Sequence, residues 1–87
     1  MPHDPGVPVG AVLRQFRKDR GWTIEQTASK AKLHVVYYGD VERGKENPTV
    51  KVIDRVLVAL RRGWGEFGAA VEREQQSDHV PIDTGSV

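Results

Sequence analysis

Apolar residues recur along this chain at helical spacing. Val9, Val12, Leu13 and Phe16 stand at i, i+3, i+4 and i+7, which places them on one face of an α-helix. Pro8 suits the first turn of that helix, which should end near Gly21. Thr23 is followed three residues later by Gln26, the pattern of a capping box, and Ile24, Thr27, Ala28 and Ala31 then repeat the spacing over barely two turns. Such a short helix with a small-residue face lets a second helix cross it closely. Lys32-Leu33-His34 leaves room only for a sharp turn with Leu33 as its apolar plug. A third helix is expected from Val35 to about Glu42, with Tyr38 and Val41 inward and Val35, Val36, Gly39 and Asp40 outward. Val50, Ile53, Val56, Leu57 and Leu60 predict a fourth helix, with Arg61 and Arg62 at its negative end and Gly63 as its stop. Trp64, Phe67 and Val71 predict a fifth, running to about Gln75. The pattern contains no internal repeat and no strand-like alternation. It gives an all-α chain with a body at 7–63, an additional helix at 64–76 and an acidic flexible tail at 77–87.

The segment 41–49, Val-Glu-Arg-Gly-Lys-Glu-Asn-Pro-Thr, joins the third and fourth helices. Gly44 can adopt the left-handed backbone that ends a helix, and Asn47-Pro48-Thr49 sets an extended approach with Thr49 as the next N-cap. Arg43 and Lys45 then project from a fixed turn, where a phosphate can meet them.

Composition narrows the function. With 87 residues, 38% of them hydrophobic, the chain can build one modest core. It has no cysteine, and His3, His34 and His79 show no metal-ligand spacing. No apolar run approaches a membrane span, and the opening Met-Pro-His-Asp-Pro-Gly lacks the regions of a secretory signal, so a cytoplasmic setting is expected. No nucleophile–base pairing, glycine-rich phosphate loop or cluster of acids is present; no enzymatic activity and no cofactor are expected. Charge is unevenly placed. Residues 14–62 hold twelve Lys or Arg against six acids, whereas residues 63–87 hold one Arg against five acids. A basic body points to an anionic partner.

Several pieces of this sequence, in order, resemble the phage-repressor and Cro-like family of helix-turn-helix domains, also called the xenobiotic-response-element family. They are Leu13-Arg14 with Arg17, Arg20-Gly21-Trp22-Thr23, Ala28, the Leu33 turn, Val41-Glu42-Arg43-Gly44-Lys45, Asn47-Pro48-Thr49-Val50 and Ala59-Leu60. The resemblance implies a compact five-helix, lambda-repressor-like domain that binds double-stranded operator DNA as a small transcriptional regulator, a repressor or autoregulator acting as a homodimer. In that scheme Ile24–Ala31 supports the recognition helix Val35–Glu42, which lies in the major groove with its N-terminal residues near base edges.

On that geometry His34, Val35, Val36 and Asp40 are the candidates for base readout. Valines can pack on thymine methyls and Asp40 can accept from a cytosine amino group, but the face carries no Arg, Asn or Gln. His34 is equally suited to capping its helix, and Asp40 to a solvated rim. Thr23, Gln26, Tyr37, Arg43, Lys45 and Lys51 are the candidates for phosphate, contacts that position without reading sequence. Family members place Gln directly after the second helix's N-cap; here Ile24 stands there. The resemblance also pairs Arg17 with Glu42 as a structural ion pair. Trp22 is read as a cover over the core. Trp64, Phe67 and Val71 either pack on their own domain or contact a twofold partner. A protein-interaction adapter or antitoxin-like module, engaging a protein partner through the C-terminal segment, is the alternative use of the same fold.

Overall fold

In the structure, a computed structural model, the backbone is described for residues 6–83 and the side chains for residues 8–75. Five helices follow one another: α1 (Gly6–Asp19), α2 (Ile24–Ala31), α3 (Val35–Glu42), α4 (Val50–Leu60) and α5 (Trp64–Asp83). Among the described residues there is no strand, and no helix is long and apolar enough to cross a membrane.

The core draws on every helix. Val12, Leu13 and Phe16 of α1 meet Ala28 and Ala31 of α2, Tyr38 and Val41 of α3, Ile53, Val56, Leu57 and Leu60 of α4, and Phe67 of α5. Val9, Trp22, Leu33 and Val71 pack around its edge. The small face of α2, with Thr27 also fully buried, lies against α4 and α3, while α1 packs on α3, α4 and α5. Thr27 remains satisfied there because its hydroxyl donates to the Thr23 carbonyl at 3.0 Å.

One close approach sets the seat of α1. A Cβ on Gly10 would fall on the Val41 carbonyl oxygen and within 2.6 Å of the Glu42 carbonyl oxygen. Only glycine therefore lets the first helix touch the C-terminal backbone of α3.

Helix ends follow the local signals. Thr23 Oγ1 accepts from the Gln26 amide at 3.0 Å and Gln26 Oε1 accepts from the Thr23 amide at 2.8 Å, completing the capping box. Thr49 Oγ1 accepts from the Val52 amide at 3.2 Å. Helices α2 and α4 stop in left-handed residues that are not glycine, Lys32 at φ 60° and Arg61 at φ 58°. Leu33 and Arg62 amides then donate back to the Ala28 and Leu57 carbonyls, satisfying groups that each helix end would otherwise leave open.

Three expectations change. Helix α5 does not stop near Gln75 but continues to Asp83, so the flexible tail expected at 77–87 is helical as far as the backbone is described; residues 84–87 lie outside the described residues. The stretch after Gly68 is polar, but up to Gln76 it consists largely of good helix formers, and polarity alone ends no helix. Val50, placed on the buried stripe of α4, is 71% exposed, because the first helical residue after Thr49 projects beyond the neighbouring helices. Gly39, expected outward, is buried beneath the Arg43 side chain.

Candidate nucleic-acid interface

Helix α3 divides into two halves. Tyr38, Gly39, Val41 and Glu42 are buried, whereas Val36 is 61% and Val35 37% exposed. This asymmetry leaves the N-terminal turn of α3 as an open, largely aliphatic surface. Thr23, Ile24, Val35, Val36, Gly39 and Arg43 line a shallow depression between the start of α2 and this turn.

His34 occupies the N-cap of α3. Its Nδ1 accepts from the Val36 amide at 3.3 Å, so the neutral ring carries its proton on Nε2 and has that nitrogen free to donate. Capping and an outward donor thus coexist in one side chain. Asp40 is half-buried rather than free on the rim: its Oδ1 accepts from Arg43 Nη2 at 2.8 Å. Gly39 explains why this fits. A Cβ there would lie 3.1 Å from Arg43 Nη2, so the absent side chain lets the guanidinium lie across the helix toward Asp40. The two candidates, one for bases and one for phosphate, spend their charge on each other in this state.

The turn after α3 is wound tightly. Gly44, at φ 79°, donates its amide to the Val41 carbonyl, and the amides of Lys45 and Glu46 both return to the Asp40 carbonyl at 2.9 and 3.4 Å. Lys45 and Arg43 therefore sit on a hydrogen-bonded turn, and Lys51 is the second residue of α4; all three are exposed. Thr23 and Gln26 are exposed at the start of α2, with Glu25 beside them, and Tyr37 is half-buried against the core. The phosphate candidates are thus drawn from the starts of α2, α3 and α4 and from one basic turn, and helix starts are where backbone amides lack intrahelical partners.

Beneath the surface lies the Arg17–Glu42 pair. Arg17 Nε and Nη2 donate to the two Glu42 oxygens at 2.7 and 3.0 Å, while Nη1 donates to the Trp22 carbonyl at 2.8 Å. The hydrogen bonds from Glu42 hold the guanidinium pKa above its ordinary value, against the opposing effect of burial. Tyr38, fully buried next to them, has a phenol hydroxyl without a hydrogen-bond partner among the described residues. Burial, with the nearby Glu42 charge adding to it, pushes that phenol far above its usual range.

Side chains outside the predicted site also organise it. Arg62 donates to Asp19 and Glu66 at 3.2 and 3.1 Å and stacks over Phe16 at 4.4 Å, tying α1 to the start of α5. Trp22 covers the core and has Arg20 and Lys30 at 4.7 and 5.3 Å from its ring. The charge pattern marked Arg62 as a helix-end cation, but its distant partner Asp19 leaves no local signal. Of the three residues considered for a twofold contact, Phe67 is in the core and Val71 packs on its edge; Trp64 is 43% exposed, edge-on to Phe67 and bonded to Asp54 at 2.9 Å.

The sequence model of the helix-turn-helix family matches residues 13–67, well over half of the chain. The chain belongs to the helix-turn-helix family. The transcriptional regulator ClgR of Mycobacterium tuberculosis is 30% identical over 53 residues, covering 61% of this chain and 47% of ClgR. The immunity repressor protein of Bacillus phage phi105 is 38% identical over 52 residues, covering 60% of this chain and 36% of the repressor. This helix-turn-helix chain thus spans about half the length, or less, of these curated relatives. Among solved structures, the restriction-modification controller protein C.Esp1396I, as a tetramer in complex with its natural 35 base-pair operator, is 25% identical with a TM-score of 0.77, over 84% of this chain and 96% of that one. The clp gene regulator ClgR from C. glutamicum shares the fold at 24% identity and a TM-score of 0.78, over 85% of this chain and 95% of that one. The all-α, five-helix arrangement inferred from periodicity is the fold of these regulators.

Proposed function

We propose that this chain is a small transcriptional regulator that binds double-stranded operator DNA as a homodimer, with the N-terminal turn of α3 in the major groove. The observation that carries this reading is the exposed N-terminal face of α3, which lies beside the start of α2 and Arg43. A groove about 12 Å wide admits such a helix, and helix starts beside it present amides to the phosphates on either side. A structural relative, C.Esp1396I, forms a complex with its natural 35 base-pair operator, which supports duplex DNA as the ligand.

Roles follow from position. Val35, Val36 and His34 Nε2 face the bases, and Asp40 joins them only when Arg43 turns to a phosphate. Thr23, Gln26, Tyr37, Lys45 and Lys51 position the helix on the backbone. Pairing two copies would set two recognition helices about 34–36 Å apart on one face of the duplex, and Trp64 is the exposed aromatic on α5 available to that contact.

The test is selection of bound duplexes from a random 25-base-pair library, and from DNA upstream of the coding sequence, followed by affinity measured against salt. Log K should fall with log salt by about 0.9 per phosphate contacted, and Lys45→Ala should flatten that slope by about one contact while leaving the preferred sequence unchanged. Failure to enrich any duplex, or affinity indifferent to salt, refutes the proposal.

A further inference from the structure

The exposed valine pair has no explanation in the fold. Val35 and Val36 are β-branched residues in a short helix, which disfavours helix formation slightly, and their exposure of 37% and 61% means that packing returns little for it. Two of the polar side chains next to them are engaged within the chain. His34 Nδ1 holds the Val36 amide, and the Asp40 carboxylate holds Arg43. Beside the outward His34 Nε2 the reading face is mainly aliphatic surface, extended across the shallow depression by the half-buried Ile24, with Thr23, Glu25 and Arg43 also on its lining.

In the major groove the apolar group on a base edge is the pyrimidine C5 methyl; the other exposed groups are donors and acceptors. A valine covering a cytosine amino group or a guanine oxygen strips its water and returns no hydrogen bond. A valine covering a C5 methyl buries apolar surface on both sides. Thymine and 5-methylcytosine carry that methyl at the same place.

We propose that Val35 and Val36 read pyrimidine C5 methyl groups, so that this protein's preferred duplex places thymine against them and 5-methylcytosine substitutes for thymine in the contact. The inference rests on the operator reading above and specifies what that reading surface selects. DNA methylated at cytosine C5 is therefore a distinct ligand for this chain, bound more tightly than its unmethylated counterpart wherever cytosine faces the valines.

The experiment uses the full chain and the duplex enriched from the random library. Each thymine is replaced in turn by deoxyuridine, which lacks only the methyl, and affinity is followed by fluorescence anisotropy at one fixed salt concentration. Loss of about four-fold is expected at the thymines facing α3, the factor corresponding to about 0.8 kcal/mol for a buried methyl. A thymine-to-cytosine change at those positions should weaken binding, and methylating that cytosine at C5 should recover about four-fold. Val35→Ala and Val36→Ala, at exposed positions where thermal melting verifies the fold, should each abolish the deoxyuridine penalty at one position.

Failure to enrich any duplex overturns the operator reading and the methyl reading together. An enriched duplex whose affinity changes less than two-fold with deoxyuridine at every position overturns the methyl reading alone. So does a penalty that persists in both alanine variants, because the methyl then acts through DNA shape rather than through the valines.

Discussion

Removing one partner of the Arg17–Glu42 pair should cost this domain a large part of its stability, while removing both should cost much less. The side chains are 11% and 3% exposed and make two parallel hydrogen bonds at 2.7 and 3.0 Å, with a third from Arg17 to the Trp22 carbonyl. Arg17→Met strands a carboxylate almost wholly out of water, and Glu42→Leu strands a guanidinium; each is expected to destabilise by about 3–5 kcal/mol. Losing the bond to Trp22 adds about 1 kcal/mol to the Arg17 variant. A chain of this size has a stability on the order of 4–13 kcal/mol, so either single variant approaches the limit of folding. The double variant exchanges the pair for apolar side chains of similar length and should be more stable than either single one. Urea unfolding followed by tryptophan fluorescence measures all four proteins. With a slope of about 1 kcal/mol/M, each single change moves the midpoint by about 3–5 M or leaves the chain unfolded in buffer. Single effects below about 1 kcal/mol that simply add in the double variant would refute the reasoning, since the charges would then be solvated in solution.

Three other outcomes are expected. Gly10→Ala should destabilise by several kcal/mol, on the order of the larger core-overpacking effects, because its methyl meets the Val41 and Glu42 carbonyls rather than a movable side chain; thermal melting checks it, and an unchanged midpoint would mean α1 sits farther from α3. Arg61→Gly should stabilise by up to about 1 kcal/mol, since Arg61 holds φ 58° where glycine is unstrained, less the favourable charge it brings to the C-terminus of α4; denaturant unfolding at low and high salt separates the two effects. Tyr38 is held neutral by burial, with its pKa raised from the ordinary 10.0. Its stabilising contribution is therefore complete below the unfolded-state pKa near 10 and falls above it at about 1.4 kcal/mol per pH unit. Stability of the native chain minus that of Tyr38→Phe, measured from pH 8 to 11.5, should be flat and then decline; a difference that stays flat throughout refutes it.

Local signals were the legible ones. Thr23 with Gln26, Thr49 and Gly44 announce their roles within four residues, because a cap or a left-handed turn is satisfied by its own neighbours. The inward choice of Tyr38 and Val41 was equally readable from periodicity. Features that depend on what arrives from elsewhere were not. Gly10 carries no mark of the α3 backbone it will touch, Arg62 none of Asp19, and Val50 fits the stripe of α4 but has nothing above it to bury it. The pairing of Asp40 with Arg43 lies within one turn, but its geometry needs the gap at Gly39. The Arg17–Glu42 pair, twenty-five residues apart, is implied by the family resemblance, and each residue's place beside an inward apolar position, Leu13 and Val41, supports it.

Mechanically, α1 holds α3 like a beam clamped at one end. The backbone contact at Gly10 and the guanidinium grip of Arg17 both act on the last two residues of α3, Val41 and Glu42, while the other end is held by the 3.3 Å cap at His34, the Tyr38 amide's bond to the His34 carbonyl and the packing of Leu33 and Tyr37 on the core. Val35 and Val36 stand on the turn farthest from that clamp. On the proposed operator reading the valines enter the groove while the clamped end keeps the helix axis aimed. Amide exchange should grade along α3 accordingly, slow near Val41 and fast near Val36, and any change in α1 that loosens the clamp should blur DNA affinity from a position that touches no DNA.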